Sequence, residues 1–287
     1  MLVFLDGKYI DQSEARVSVD DRGFLFADGI YEVIRIYDGR LFLAGPHFDR
    51  LRRGLDATRI ESHAPDYLLE VSNRLIVENG LQDDDAIVYI QVTRGAAPRR
   101  HAFPPPGTVP TVYVAVRPFP RFPAESYESG EAAISVPDTR WGRCDIKSIG
   151  LLPNVMAHQQ AKESGAFEAL FVRDGVLIEG SHSNLLAVIA GELVTYPVCN
   201  YILGGITRDF VLGLARGLGI PVREGPIFAD RLDDVEELML SGTTTELLPL
   251  TRLDGRPVGD GRVGPVARRL QLAYLESVQS GTTAGAG

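Results

Sequence analysis

Short apolar or alternating runs of strand length extend from Ile30 to Tyr37, Ala86 to Thr93, Thr111 to Val116, Ala132 to Val136, Ala169 to Val172 and Leu185 to Ile189. Four Asp-Gly pairs lie between such runs: Asp6-Gly7, Asp38-Gly39, Asp174-Gly175 and Asp254-Gly255. Each suits a tight hairpin, because glycine accepts the positive φ that such turns require. Helical stretches are interleaved with the strands. His47 to Ala57 places Phe48, Leu51 and Leu55 on one face, and Pro65 to Asn79 opens on proline and stops before Gly80. Asn154 to Ser164 stops at Gly165, Thr207 to Leu218 follows a Gly-Gly pair and stops at Gly219, and Gly264 to Val278 closes the fold. Hairpins mixed with helices predict an α+β protein, not a regular βαβ array.

The proline-rich segment between Arg117 and Glu131 marks an interdomain connection. It predicts a small first domain over 1–118, a connection over 119–130, a larger second domain over 131–279 and a disordered tail over 280–287. Small-molecule sites favour such interfaces.

Composition narrows the function. The 287 residues are 45% hydrophobic and 23% charged, ordinary values for a chain that buries a real core. A net charge of −9 argues against a nucleic-acid binder, which needs a basic face to displace counterions. No apolar run approaches membrane-spanning length, and the N-terminus lacks the basic and apolar regions of a signal peptide. Cys144 and Cys199 fit no zinc spacing, so no structural metal is expected and a reduced, cytoplasmic protein is the reading. Lysine occurs only at Lys8, Lys147 and Lys162. Chemistry that needs a side-chain amine has three candidates.

Lys8 follows a hairpin turn and Lys162 lies on a helix rich in Gln and Glu, both settings for a solvated amine. Lys147, in TRWGRCDIKSIG, stands beside apolar and aromatic residues. It reads either as a strand-end surface lysine or as a partly buried amine able to form a Schiff base. Gly204-Gly205-Ile206-Thr207 precedes a helix whose free amides would favour an anion, and Ser241-Gly242-Thr243-Thr244-Thr245 offers hydroxyls and amides as a second cup. Ordinary caps and turns look the same. The loop carrying Arg94, Arg99, Arg100 and His101 reads as a solvated loop or as a trap for a carboxylate. Glu179-Gly180-Ser181-His182-Ser183-Asn184 contains Ser and His but no nucleophile-elbow pattern.

Taken together, the blocks DRGFLFADGIYEV, HFDRL, VTRGAAPRRHAFP, RWGRCDIKSIGLLPNV, IEGSHSN, LGGITRD and SGTTTE resemble the pyridoxal-phosphate aminotransferases of fold type IV. The resemblance runs from about Phe4 to Leu275 and is strongest to the D-amino-acid enzymes. It implies a two-domain subunit with pyridoxal 5′-phosphate at the domain interface. It implies that Lys147 carries the cofactor as a Schiff base and that Glu179 keeps the pyridine nitrogen protonated. Arg50, Ile206, Thr207, Gly242 and Thr243 correspond to the phosphate cradle, and Leu203 to the residue packed on the ring. Tyr31, with Arg99 and His101 from a neighbouring subunit of a homodimer, corresponds to the grip on the substrate α-carboxylate. Arg35, Arg100 and His182 depart from the family pattern and are candidates for side-chain selectivity.

The implied reaction moves an amino group from a D-amino acid to a 2-oxo acid through pyridoxamine phosphate. Arg99 and His101 favour D-amino acids, because the branched-chain L-amino-acid enzymes resembling this chain lack that pair. An (R)-amine transaminase and an aminodeoxychorismate lyase share the fold and the lysine, and a cofactor-binding protein without turnover would be yellow, as the bound cofactor makes it, but inactive.

Overall fold

The computed structural model describes residues 1–281, which form two compact units. The first comprises Met1–Pro120 and Ile146–Gly150, and the second comprises Arg121–Asp145 and the chain from Leu151 onward.

The first unit is built on strands β1 (Leu2–Leu5), β2 (Lys8–Asp11), β3 (Gly29–Tyr37), β4 (Arg40–Leu41), β5 (Ala86–Thr93) and β6 (Val112–Pro118). They pair antiparallel in the order β2-β1-β6-β5-β3-β4. Helices α1 (Arg22–Phe26), α2 (Ala44–Thr58) and α3 (Ala64–Glu78) complete it. Strand alternation puts Ile30, Ile34 and Ile36 of β3 into one core with Val88 and Ile90 of β5. Phe48, Leu51 and Leu55 of α2 and Leu68 and Leu75 of α3 close that core, as their helical spacing requires.

The second unit holds β7 (Glu131–Pro137), β8 (Glu168–Arg173), β9 (Val176–Gly180), β10 (Asn184–Ile189), β11 (Glu192–Thr195), β12 (Val222–Glu224), β13 (Ile227–Phe228), β14 (Val235–Gly242), β15 (Glu246–Leu253) and β16 (Arg256–Pro257). Its helices are α4 (Ala124–Ser129), α5 (Leu152–Glu163), α6 (Ile206–Gly217) and α7 (Pro265–Ser280). The strand path runs β12-β11-β10-β14-β15-β7-β8-β9-β13, with β16 on β15. β7 lies parallel to both β8 and β15. A further pairing, Asn184 with Glu179, joins β10 to β9 and closes the path into a ring.

All four Asp-Gly pairs form the expected two-residue turns, with φ of 45 to 52° at Asp and 70 to 85° at Gly. A fifth such turn, Ala190-Gly191, joins β10 to β11 without that signature.

The boundaries differ from the sequence expectation in two places. The connection expected over 119–130 contains α4, and from Arg121 it packs with the second unit. Phe122 meets Phe167 edge-on at 5.4 Å, and Arg121 clamps Glu246 at 2.8 and 2.6 Å. The segment Ile146–Gly150, expected within 131–279, belongs to the first unit. Ile146 enters the first core, the Tyr31 amide donates to the Lys147 carbonyl at 3.0 Å, and the Ile149 amide donates to the Gly29 carbonyl at 3.1 Å. Of the expected tail over 280–287, Ser280 ends α7 and Gly281 caps it, while 282–287 lie outside the described residues.

Candidate active site

Lys147 is held where its carbonyl meets the start of β3. Its Nζ lies 4.3 Å from the centre of the Tyr31 ring, so the lysine and the tyrosine singled out in the sequence stand together. Tyr31 in turn stacks on Tyr89 at 5.9 Å. Glu32, the next residue on β3, points to the opposite face and is fully buried. Its carboxylate accepts from Arg50 Nε at 2.9 Å and Arg50 Nη2 at 2.7 Å, and it pairs with His47 Nδ1 at 3.0 Å. The Arg50 and His47 charges hold the Glu32 carboxyl well below its usual range against the opposing effect of burial. Burial depresses the His47 imidazole, and the nearby Lys147 ammonium adds to the effect. The resemblance puts Arg50 at a phosphate. The structure commits two of its nitrogens to Glu32, a residue the sequence reading does not single out.

The basic loop divides into two functions. Arg94 is buried and structural: it clamps Asp28 at 2.8 and 2.9 Å and donates to the Arg59 and Thr58 carbonyls. Arg99, Arg100 and His101 are exposed. Arg99 and His101 flank the Phe26 ring of α1, and the Arg100 carbonyl accepts from Arg22 at 2.7 Å. Arg35 is buried between the Tyr37 and Phe119 rings, 5.1 Å from each, with Asp85 at 3.4 Å. That enclosure places it in the fold of the first unit, whatever its bearing on selectivity.

In the second unit, Glu179 is the next-to-last residue of β9 and is almost fully buried. Arg140 Nη1 pairs with one carboxylate oxygen. The other accepts from the Leu203 amide and from Asn184 Nδ2, each at 3.1 Å. Asn184 also donates to the Leu203 carbonyl at 2.9 Å, so one amide fixes Glu179 to the segment before α6. Asp138 buttresses Arg140 at 2.9 Å and Arg173 at 2.8 Å. Burial pushes the Glu179 carboxyl up to about 7 while Arg140 pulls it down. Such a group changes charge readily near neutrality when a cationic partner arrives. Arg140, Asp138 and Asn184 receive no role from the sequence. Their only signal is membership in, or closeness to, the blocks around Lys147 and Glu179.

The two suspected anion cups both lie in this unit. Helix α6 begins at Ile206 and Thr207 with no side-chain cap, leaving its first amides for a ligand. Gly205 is required there, because a Cβ would collide with Asn184 Oδ1. Gly242 ends β14, and Thr243 follows in the turn to β15. On either side, the Ser241 and Thr245 hydroxyls are buried with no hydrogen-bond partner among the described residues. Unsatisfied buried hydroxyls beside a glycine turn suit a polar ligand. His182 turns toward Glu168, at 3.0 Å from its carboxylate.

Over residues 29–253 the chain matches the family described as amino-transferase class IV. It is 41% identical to a D-alanine aminotransferase of Staphylococcus haemolyticus, covering 97% of this chain and 98% of the relative. It is 38% identical to a D-alanine aminotransferase of Bacillus licheniformis, covering 98% and 99%. Among solved structures, an Escherichia coli branched-chain amino acid aminotransferase superposes with a TM-score of 0.90 at 28% identity, over 100% of this chain and 97% of the other. A branched-chain amino acid aminotransferase from Thermoproteus uzoniensis, solved with norvaline, gives 0.86 at 27% identity, over 99% and 96%. A further branched-chain enzyme of this fold is solved with pyridoxamine 5′-phosphate and gives 0.89 at 28% identity, over 98% and 95%. The mixed α/β, two-sheet architecture is that of fold type IV, and the chain belongs to the class IV aminotransferases.

Proposed function

We propose that the chain is a pyridoxal-phosphate-dependent D-amino-acid transaminase, moving an amino group from a donor such as D-alanine to a 2-oxo acid such as 2-oxoglutarate. The observation that carries the substrate class is full-length identity of 38–41% to D-alanine aminotransferases. Support for the cofactor comes from the second unit's residues: a buried acid suits a protonated ring nitrogen, and uncapped amides with unsatisfied hydroxyls suit a phosphate.

When bound, pyridoxal 5′-phosphate accepts the electrons of the substrate Cα–H bond into its protonated ring. Lys147 would hold it through Nζ, and the same Nζ, once freed by the incoming amine, would take the Cα proton and deliver it to the cofactor's C4′ carbon. The Tyr31 ring beside Nζ limits where that amine can move. Glu179 would keep a proton on the ring nitrogen, with Arg140 and the Leu203 amide holding the carboxylate in place. Leu203 would pack on the ring. The Ile206 and Thr207 amides, Gly242 and Thr243 would hold the phosphate, with Ser241 as a further donor. Because Arg50 is neutralised by Glu32, its contribution to the phosphate is more that of an oriented donor than of a full charge.

Tyr31, with Arg99 and His101 of a neighbouring subunit, would orient the α-carboxylate and so select the D-enantiomer. The exposure of Arg99 and His101 in the single chain supports a homodimeric reading. No described helix is long and apolar enough to cross a membrane. A cytoplasmic setting is consistent with free Cys144 and Cys199.

A half-reaction screen tests the substrate class. The yellow protein is mixed with D-alanine, D-glutamate, L-leucine or an (R)-amine, and loss of colour is followed. Fast bleaching by D-amino acids alone is expected. Faster bleaching by L-leucine would overturn the reading in favour of a branched-chain enzyme, and bleaching by the amine alone in favour of an amine transaminase.

A further inference from the structure

We infer that His158, Glu168 and His182 form a binding site for a zinc-like divalent ion in the second unit, tying α5 to the turn between β9 and β10. His158 lies on α5, Glu168 opens β8, and His182 lies in the turn from Gly180 to Asn184. The three supply one ligand atom each, all within 4.8 Å of one another. His182 Nδ1 lies 3.0 Å from one Glu168 oxygen and His158 Nδ1 3.8 Å from the other. A tetrahedral ion with bonds of about 2.1 Å separates its ligands by about 3.4 Å, which falls between those two distances. The rings meet edge to face at 89° with centroids 5.0 Å apart, and each presents its Nδ1 to the Glu168 carboxylate.

The charge balance points the same way. Glu168 is fully buried, and its carboxylate is pinned by the Ala169 amide at 2.9 Å and the Ser183 hydroxyl at 2.8 Å. Its ion pairs among the described residues run to the two imidazoles. A divalent ion seated between the three would compensate that buried charge and use both nitrogen lone pairs. Two imidazoles and a carboxylate form a donor set suited to zinc, with a fourth position left for water. The Ser181 hydroxyl lies between the donors, 3.4 Å from His158 Nδ1, 3.1 Å from His182 Nδ1 and 2.5 Å from Glu168, and either shifts aside or fills that position. Both histidine side chains are about half open, at 48% and 39%, so a hydrated ion can enter.

The ion would act as a clamp on the turn that links Glu179 to Asn184. Hard magnesium is not expected to bind, because imidazole suits softer ions.

Equilibrium dialysis of untagged, chelator-treated holoenzyme against zinc tests the site. One zinc per chain is expected, with affinity at least tenfold lower in His158→Ala and in His182→Ala and unchanged in Cys199→Ser. Retained yellow colour verifies that each variant is folded. Cobalt should bind with a visible ligand-field spectrum and no thiolate charge-transfer band. Absence of saturable zinc binding, binding that survives in both histidine variants, or a cobalt–thiolate band would overturn the proposal.

Discussion

Glu32 grips Arg50 at two points inside the first unit, with both guanidinium contacts shorter than 3 Å and the His47 ring on the same carboxylate. The cluster lies one residue along β3 from Tyr31, on the opposite face of the strand. It fixes the arginine before any ligand arrives.

Removing that carboxylate leaves a buried guanidinium uncompensated. Glu32→Gln should lower stability at pH 7 by about 3 kcal/mol in urea titrations. Because the folded-state carboxyl is held below its unfolded value, its contribution is present above about pH 4.5 and declines as pH falls further. The difference from the parent should therefore narrow in acid. A gap that is constant with pH would remove the ion pair as its cause.

Lys147→Ala should lose transamination by at least ~10³-fold, the upper part of the range for removing a general base. Borohydride should fix the cofactor to the parent chain at Lys147, with no corresponding adduct in the variant, as read by mass spectrometry. An adduct at Lys8 or Lys162 would reassign the amine.

Glu179 has the opposite pH sign to Glu32. Its folded-state carboxyl is raised to about 7, so the folded cofactor-free protein binds the extra proton between about pH 4.5 and 7. Stability from this group is present at lower pH and lost as pH rises, by up to about 3 kcal/mol. Thermal melts of the cofactor-free protein should show that decline, and Glu179→Gln should flatten it. In the loaded protein a protonated ring nitrogen offsets the loss, so an equally steep decline there would count against the pairing.

Gly205→Ala drives a methyl group into Asn184 Oδ1. Displacing Asn184 loosens Leu203 and Glu179 together. A loss of about 1–3 kcal/mol in stability is expected from the overpacking, along with faster loss of cofactor on dialysis. Unchanged retention would show that the Asn184 bridge is dispensable.

Arg99→Ala should raise KM for D-amino acids by the loss of about 1.5–3 kcal/mol of charged hydrogen bonding. An (R)-amine without a carboxylate should show no matching change. A shift confined to side-chain preference would make the loop a rim of the pocket and not its carboxylate grip.

Much of this architecture is legible because its signals are local. Asp-Gly turns, proline starts and glycine stops locate strands and helices to within a few residues, and the blocks around Lys147 and Glu179 direct attention to both. The Ala190-Gly191 turn escapes that reading because only its glycine carries a turn preference. Glu32 does have a signal, a charge in phase with Ile30, Ile34 and Ile36 on the buried face of β3. Its partner Arg50 is 18 residues away, and only packing reveals that they meet. Arg140 and Asp138 read as an ordinary polar pair, since nothing local says that Glu179 will lie against them. The path of Ile146–Gly150 into the first unit is likewise a matter of tertiary structure, set by one buried isoleucine and a few backbone hydrogen bonds.

The ring of strands in the second unit is fastened by one residue pair, Glu179 with Asn184. A hoop closed by a single clasp is tightened by whatever grips the clasp. A ligand held by Glu179 therefore braces β9 and β10 along their length, and amide exchange in both strands should slow on loading. The acid proposed to serve the chemistry is also the buckle of the barrel, so losing the ligand should slacken the frame that was holding it.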